Sequence, residues 1–253
     1  VMPWFGEKSR ALALPTITEA LIAYRQGRLA GLQERLRWAL ATVDVINPID
    51  LYAQAMLCLA RVQRMQDAPK EAAATLVLMQ NLAARNHSWR FYVQAVGEEI
   101  ALILQEPVPD RSKRAEQRLK SVDWSKLAGY YTQCSFNPVP WVLGLTRVRL
   151  QQARGHFSEA LHEITQLRGQ LQDGRHGLHQ LRLDLLAALS YQRLGYRERA
   201  QSLLVQCLIS AEREEARSLF IEEGEAIRQL LQQLESVERQ PALQTFIRSL
   251  LSV

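Results

Sequence analysis

Long hydrophobic runs are missing from this sequence. No eighteen consecutive apolar residues occur, and no charged-then-apolar leader opens the chain, so neither a spanning helix nor a secretory leader of ordinary form is expected. Cysteine is scarce too. Cys58, Cys134 and Cys207 are odd in number and far apart, which excludes a disulfide framework and points to a reducing compartment, the cytoplasm. Glycine, proline and aromatic residues are sparse, and Leu, Ala, Gln, Arg and Glu dominate. Those are strong helix formers, so the summed propensity predicts an all-α chain.

Dense basic clusters are also lacking. The net charge is +5 and the pI near 9.3, yet the cations are interleaved with Glu and Gln, as in "RQGRLAGLQERLR" and "YRERAQ". That is the pattern of a solvated helical face, and no direct contact with nucleic acid is expected.

Catalytic signatures are equally thin. "FGEKSR" (Phe5 to Arg10) carries the Gly, Lys and Ser of a phosphate loop without its first glycine or its Gly–Lys adjacency. His87, His156, His162, His176 and His179 form no H-E-x-x-H, and the pair His176/His179 reads as a solvated loop between hairpins. No G-x-S-x-G elbow occurs, and no cysteine has the local signature of a nucleophile. The carboxylate pairs Glu98–Glu99, Glu214–Glu215 and Glu222–Glu223 are adjacent in sequence, and neighbours on a helix point apart. No enzyme, no metal and no cofactor is expected of this segment.

What is present is a rhythm. Gly27, Asp67, Asp110, Gly155 and Gly195 mark turns separated by 40, 43, 45 and 40 residues. Seven residues before each turn stand Ala20, Ala60, Ile103, Val148 and Ala188; five after stand Leu32, Ala72, Ala115, Ala160 and Ala200. Small side chains at a helix crossing permit the close approach that a tight hairpin needs. The prediction is an α-solenoid of about five helical hairpins with capping helices behind them, resembling the tetratricopeptide pattern with a longer period. The stretch 123–138 reads as irregular, and Trp89, Tyr92, Trp124, Tyr130, Tyr131 and Trp141 read as core packing around it.

A curved stack of hairpins presents the first helix of each unit on its concave face. Counting back from each turn places Tyr24, Gln54, Arg61, Arg64, Arg149, Gln152, Arg182 and Gln192 there. Such a mixture suits a polar or anionic ligand or an acidic peptide; an open face merely solvated by its arginines is the alternative.

Towards the end, "LFIEEGEAIRQLLQQL" followed by "QPALQTFIRSLLS" resembles the close of the helical-repeat region in the large LuxR-type, ATP-dependent transcription activators of the MalT-like family. "SYQRLGYRERAQSLLVQCLISAEREEARSLF", "LQQARGHFSEALHEI" and "NHSWRFYVQAVGEEIALIL" resemble earlier repeats of that region, so the likeness runs from about residue 12. The resemblance implies one superhelical sensor domain over residues 1–253, with an irregular lead-in at 1–11 and a cap or linker at 218–253. The chain opens on Val1 rather than Met, as expected of a segment of a longer regulator. By resemblance, its partners are a small inducer or a regulatory protein, and the nucleotide-binding and DNA-binding domains of the same regulator. ATP would belong to the former domain, and the active form would self-associate. A protein-interaction scaffold without a small ligand and a structural spacer remain open beside it. Glu222, Glu223 and Glu225 are expected to surround a helix start at Gly224, where negative charge suits the helix dipole.

Overall fold

The computed structural model describes residues 10–43, 49–132, 137–171, 177–236, 238 and 240–252. Cys134, His176 and most of "FGEKSR" lie outside the described residues. Among the described residues there are helices and no strand. Five hairpins follow one another: α1 (Ala13–Arg25) with α2 (Leu32–Thr42), α3 (Ile49–Met65) with α4 (Pro69–Arg85), α5 (Trp89–Gln105) with α6 (Arg111–Lys120), α8 (Pro138–Ala153) with α9 (Phe157–Gln170), and α10 (Gly177–Arg193) with α11 (Arg197–Arg213). The short α7 (Trp124–Gly129) lies between the third and fourth hairpins. Three further helices end the chain, α12 (Ser218–Glu222), α13 (Glu225–Glu235) and α14 (Pro241–Leu251). The protein is an all-α solenoid.

Six helix ends close in one way. The N–H groups of Arg28, Ala68, Ser88, His156, Tyr196 and Ala216 each donate to the carbonyl five residues back, at 2.8–2.9 Å. The residue before each of those donors is left-handed: Gly27, Asp67, His87, Gly155, Gly195 and Glu215, with φ between 51° and 86°. This is the Schellman closure, which satisfies the last carbonyls of a helix and turns the chain sharply back. The turns read from sequence are therefore real at four of five positions.

The third hairpin departs from the rule. Its first helix ends with Glu106 extended ahead of Pro107, and Asp110 is the N-cap of α6 rather than the end of α5. A residue before proline avoids the helical region, so the turn opens and lengthens. Counted from the end of α5, the crossing position falls on the fully buried Ile100; Ile103 is only half-buried. Elsewhere the register holds, since Leu32, Ala72, Ala115, Ala160 and Ala200 are all buried. The stretch 123–138 is also more regular than expected, for Asp123 accepts from Lys126 N at 2.9 Å and so starts α7.

α5 packs directly on α8, past α6 and α7. Their approach is so close that a Cβ on Gly97 would stand 2.6 Å from Val142 Cγ1. At the C-terminal end, α13 and α14 bury Ile227, Leu230, Leu231, Leu234, Leu243, Phe246, Ile247 and Leu250 in a cluster shared with Leu204, Leu208 and Ala211 of α11. α12 adds Leu219 and Phe220 to that cluster, yet it does more than cap the stack. It turns inward and meets α1 and α3, at the other end of the array. Arg25 Nη2 donates to the Glu214 carbonyl at 2.7 Å, and Gln26 Nε2 to Glu215 at 2.7 Å. The solenoid curls so far that its first and last hairpins meet across α12.

Candidate functional site

The inner helices α1, α3, α5, α8 and α10, with α12, enclose a cavity of about 660 Å³. Its mouth lies at the first turns of α3, α5, α8 and α10, near Asp50, Arg90, Pro138 and His179. Asp50 and Arg90 form an ion pair there. The Trp141 ring stacks on His179, with centroids 4.0 Å apart and planes 18° from parallel. Leu57, Phe91, Val142, Leu145, Leu178 and Leu219 form the walls, and the amides of Gln54 and Gln94 reach in beside them.

The floor is charged, and every inner helix contributes. Tyr24 of α1 donates its hydroxyl to Glu222 Oε1 at 2.6 Å. Arg61 of α3 donates through Nε to Glu98 Oε1 of α5 at 2.9 Å, with Nη2 on the same oxygen. Arg64 reaches Glu98 Oε2 and the Glu222 carbonyl. Arg149 of α8 holds Glu223 with two donors, and Arg182 of α10 is paired with Glu222. Four guanidinium groups thus surround three carboxylates, leaving one positive charge over.

Such a cluster is stable only because each guanidinium has a carboxylate against it as it leaves water, Arg61 and Arg64 sharing Glu98. Burial alone would push the Glu222 carboxyl up, but Arg182 and Arg61 outweigh that effect and bring it down to about 2. Burial also opposes the charge on Glu98, and Arg61 and Arg64 again win, holding it well below the usual carboxylate range. Tyr24 is raised far above an ordinary tyrosine, by burial first and then by the charge of Glu222. It therefore stays a donor. The Cys58 thiol, also on the cavity wall, is pushed up to about 12 by burial, which leaves it protonated and unreactive.

Of the residues expected on the concave face, Tyr24, Gln54, Arg61, Arg149 and Arg182 line this cavity. Arg64 stands behind the floor, against α12 and a smaller groove on its far side. Gln152 does not reach the cavity. It donates to the Leu186 carbonyl and Ser190 Oγ, tying α8 to α10. Gln192 lies outside as well, with its amide on Gln233 of α13. The arginines do not solvate an open face; they are drawn into ion pairs.

The main correction concerns the acidic joint. Glu225 is exposed in the first turn of α13, as a helix start should have it. Glu222 is 3% exposed and, with Glu223, faces the arginines of the concave surface. Glu98 is missed by the count because it stands at a position left out on every helix; seven residues before the end of α5, it falls level with Cys58 and Thr146, which also line the cavity. Trp141 packs in the same cluster as Trp89, Tyr92, Trp124 and Tyr131 and also lines the cavity. His179 belongs to the first turn of α10, not to a loop. No group of three His, Cys, Asp or Glu side chains stands close enough to hold a metal among the described residues. No helix among them is long and apolar enough to cross a membrane.

No curated protein sequence matches the chain. A solved tetratricopeptide repeat protein from Parabacteroides merdae ATCC 43184 aligns with 96% of this chain and 98% of its own, at 16% identity and a TM-score of 0.33. The family model described as the MalT-like TPR region matches residues 6–237. With that match spanning most of its length, the chain belongs to the MalT-like TPR region family.

Proposed function

We propose that this chain is the effector-sensing part of a LuxR-type, ATP-dependent transcription activator, and that its cavity receives a small inducer. One observation carries the reading. The cavity is bounded on one side by the five inner helices and on another by Ala216, Ser218, Leu219 and Glu222 of the C-terminal segment. A molecule held there touches both ends of the array at once.

That arrangement supplies what a sensor needs, a ligand with different contacts in two states. With α12 docked, an inducer meets both surfaces; with α12 displaced, it loses one of them. Occupancy thereby favours the docked form by its extra contacts, and the position of α13 and α14 reports it to the DNA-binding and nucleotide-binding domains that would be its partners. The switch to a self-associating form would follow from that bias.

A peptide-binding scaffold fits this geometry less well. The groove such a peptide would occupy already holds the chain's own acidic segment on Arg61, Arg149 and Arg182.

Calorimetric titration of a metabolite panel into this chain tests the proposal. Saturable binding at micromolar concentration is expected. Silence across the panel, together with saturable binding of an acidic peptide, would establish the scaffold instead. Arg149→Glu in the full-length regulator separates the sensor from a spacer. The sensor requires altered inducer response, and an unaltered response sinks it.

A further inference from the structure

The three arginines of the cavity floor have donors to spare. Arg61 spends Nε and Nη2 on Glu98, and its Nη1 stands 3.9 Å from Glu222 Oε1, beyond hydrogen-bond reach. Arg149 spends Nε and Nη2 on Glu223, and its Nη1 has no hydrogen-bond partner among the described residues. Arg182 gives Nη2 to Glu222, while its Nη1 lies 3.8 Å from Glu223 Oε1. None of these nitrogens is sealed away. Among the described residues the buried side-chain nitrogen or oxygen without a partner is Arg168 Nε, in the α9–α10 contact. Each of these Nη1 groups keeps some exposed surface, and Arg61, Arg149 and Arg182 all line the cavity.

Resting on the reading of this cavity as an effector site, we infer that its ligand is a small amphipathic monoanion, a carboxylic acid. Its charged end meets the Nη1 groups of Arg61, Arg149 and Arg182, which make no hydrogen bond among the described residues, and its apolar body lies along Leu57, Phe91, Val142 and Leu145. Three features select this class. Charge-assisted bonds from guanidinium to carboxylate are the strong ones, and their donors here are already oriented by the acidic joint. Counted with Arg64 behind the floor, the cluster carries one surplus positive charge, which a monoanion offsets. A dianion such as phosphate would overshoot beside Glu98, Glu222 and Glu223, where like charge is costly. Between the charged floor and the Asp50–Arg90 pair at the mouth, Leu57, Phe91, Val142 and Leu145 supply apolar wall, which suits a molecule charged at one end. The joint is then part of the site. Glu222 and Glu223 hold the arginines in place and leave one acid's worth of charge unmatched.

The test is calorimetry on the intact chain with phenylacetate, octanoate, the primary amide of each, and inorganic phosphate. The acids are expected to bind saturably, at least ~10-fold more tightly than their amides, in line with the strength of charge-assisted bonds. Phosphate is expected to bind more weakly than either acid. Gln94 lines the cavity with no hydrogen bond among the described residues, so Gln94→Trp fills the space without breaking a contact. It should abolish acid binding and leave the melting temperature unchanged. Acid and amide binding equally, both lost in Gln94→Trp, would overturn the acid assignment and leave the cavity a small-molecule site. Phosphate binding as tightly as the acids would overturn the monoanion. No heat from any probe, nor from a wider metabolite panel, would remove both this inference and the sensor reading.

Discussion

Tyr24 and Glu222 are 198 residues apart in sequence, and the phenol of one donates to the carboxylate of the other at 2.6 Å inside the protein. The bond joins the first hairpin to the segment that follows the last. It sits among Arg61 and Arg182, so it is one strand of a network whose members support each other. Tyr24→Phe should cost ~1.5–3 kcal/mol of stability, the worth of a hydrogen bond to a charged group. Glu222→Ala should cost ~3–5 kcal/mol, because it leaves buried guanidinium charge unmatched. In the double variant the two costs should fall well short of their sum, since both remove the same bond. Urea melts of the four proteins measure this. Additive costs would mean that the ring is not closed through this pair.

The hairpins and the concave arginines were legible in the sequence because both follow from periodicity. A left-handed residue every forty or so positions, with alanine five beyond it, determines where helices cross and which faces turn inward. Proline broke the count at one place, since α5 ends at Gln105 and no turn falls at Asp110; Glu98 escaped separately, lying level with Cys58 and Thr146 at a position the count skips on every helix. The acidic joint was illegible for another reason. Locally, Glu222, Glu223 and Gly224 look like an ordinary helix start. That Glu222 belongs on the concave face depends on the curvature of the whole array, which brings α12 back to α1, and no local pattern encodes it. The mismatch of four concave arginines with few carboxylates on the same helices was the available signal. Buried cations need partners, and those partners had to come from elsewhere in the chain.

Acid should loosen this closure. The Glu222 carboxyl sits near 2 in the folded chain against an ordinary value of 4.5. A depressed carboxyl contributes stability that is fully present above the unfolded value and is lost as pH falls through the folded one. The loss therefore runs from about pH 4.5 down to about 2, with Glu98 acting in the same direction. The urea midpoint of the wild type should fall through that window. In Glu222→Gln, lower in stability throughout, the fall should be shallower. Parallel pH profiles for the two proteins would assign the acid sensitivity to other groups.

Gly144 marks where α8 crosses α9. A Cβ added there would stand 2.4 Å from Leu167 Cδ2 and 2.9 Å from its Cγ, and Leu167 is buried with little room to move. Gly144→Ala should destabilise by ~1–3 kcal/mol through overpacking, despite alanine's better helix propensity. Pairing it with Leu167→Ala should recover part of the loss caused by the first change, because the shortened neighbour makes room. Thermal melts would read this as a double variant less destabilised than the two separate costs together.

The left-handed helix ends offer the converse, a gain. Asp67, His87 and Glu215 hold φ of 58°, 52° and 51°, where a side chain costs ~1 kcal/mol or more relative to glycine. The equivalent positions at Gly27, Gly155 and Gly195 already carry glycine. Aspartate tolerates this conformation better than histidine or glutamate, and glycine gives back some unfolded-chain entropy. His87→Gly should therefore stabilise by ~0.5–1 kcal/mol and Asp67→Gly by less. Glu215 differs, because its carboxylate accepts from Gln26 Nε2 across the ring. Glu215→Gly should gain from its backbone and lose from that contact, ending near zero, whereas Gly195→Ala should lose ~1 kcal/mol or more with nothing to offset it. Urea midpoints that rank His87→Gly above wild type, Glu215→Gly level with it and Gly195→Ala below would show the Schellman ends acting through backbone strain. A loss on His87→Gly would instead locate its value in the contact of its ring with Trp89, 6.0 Å away between centroids.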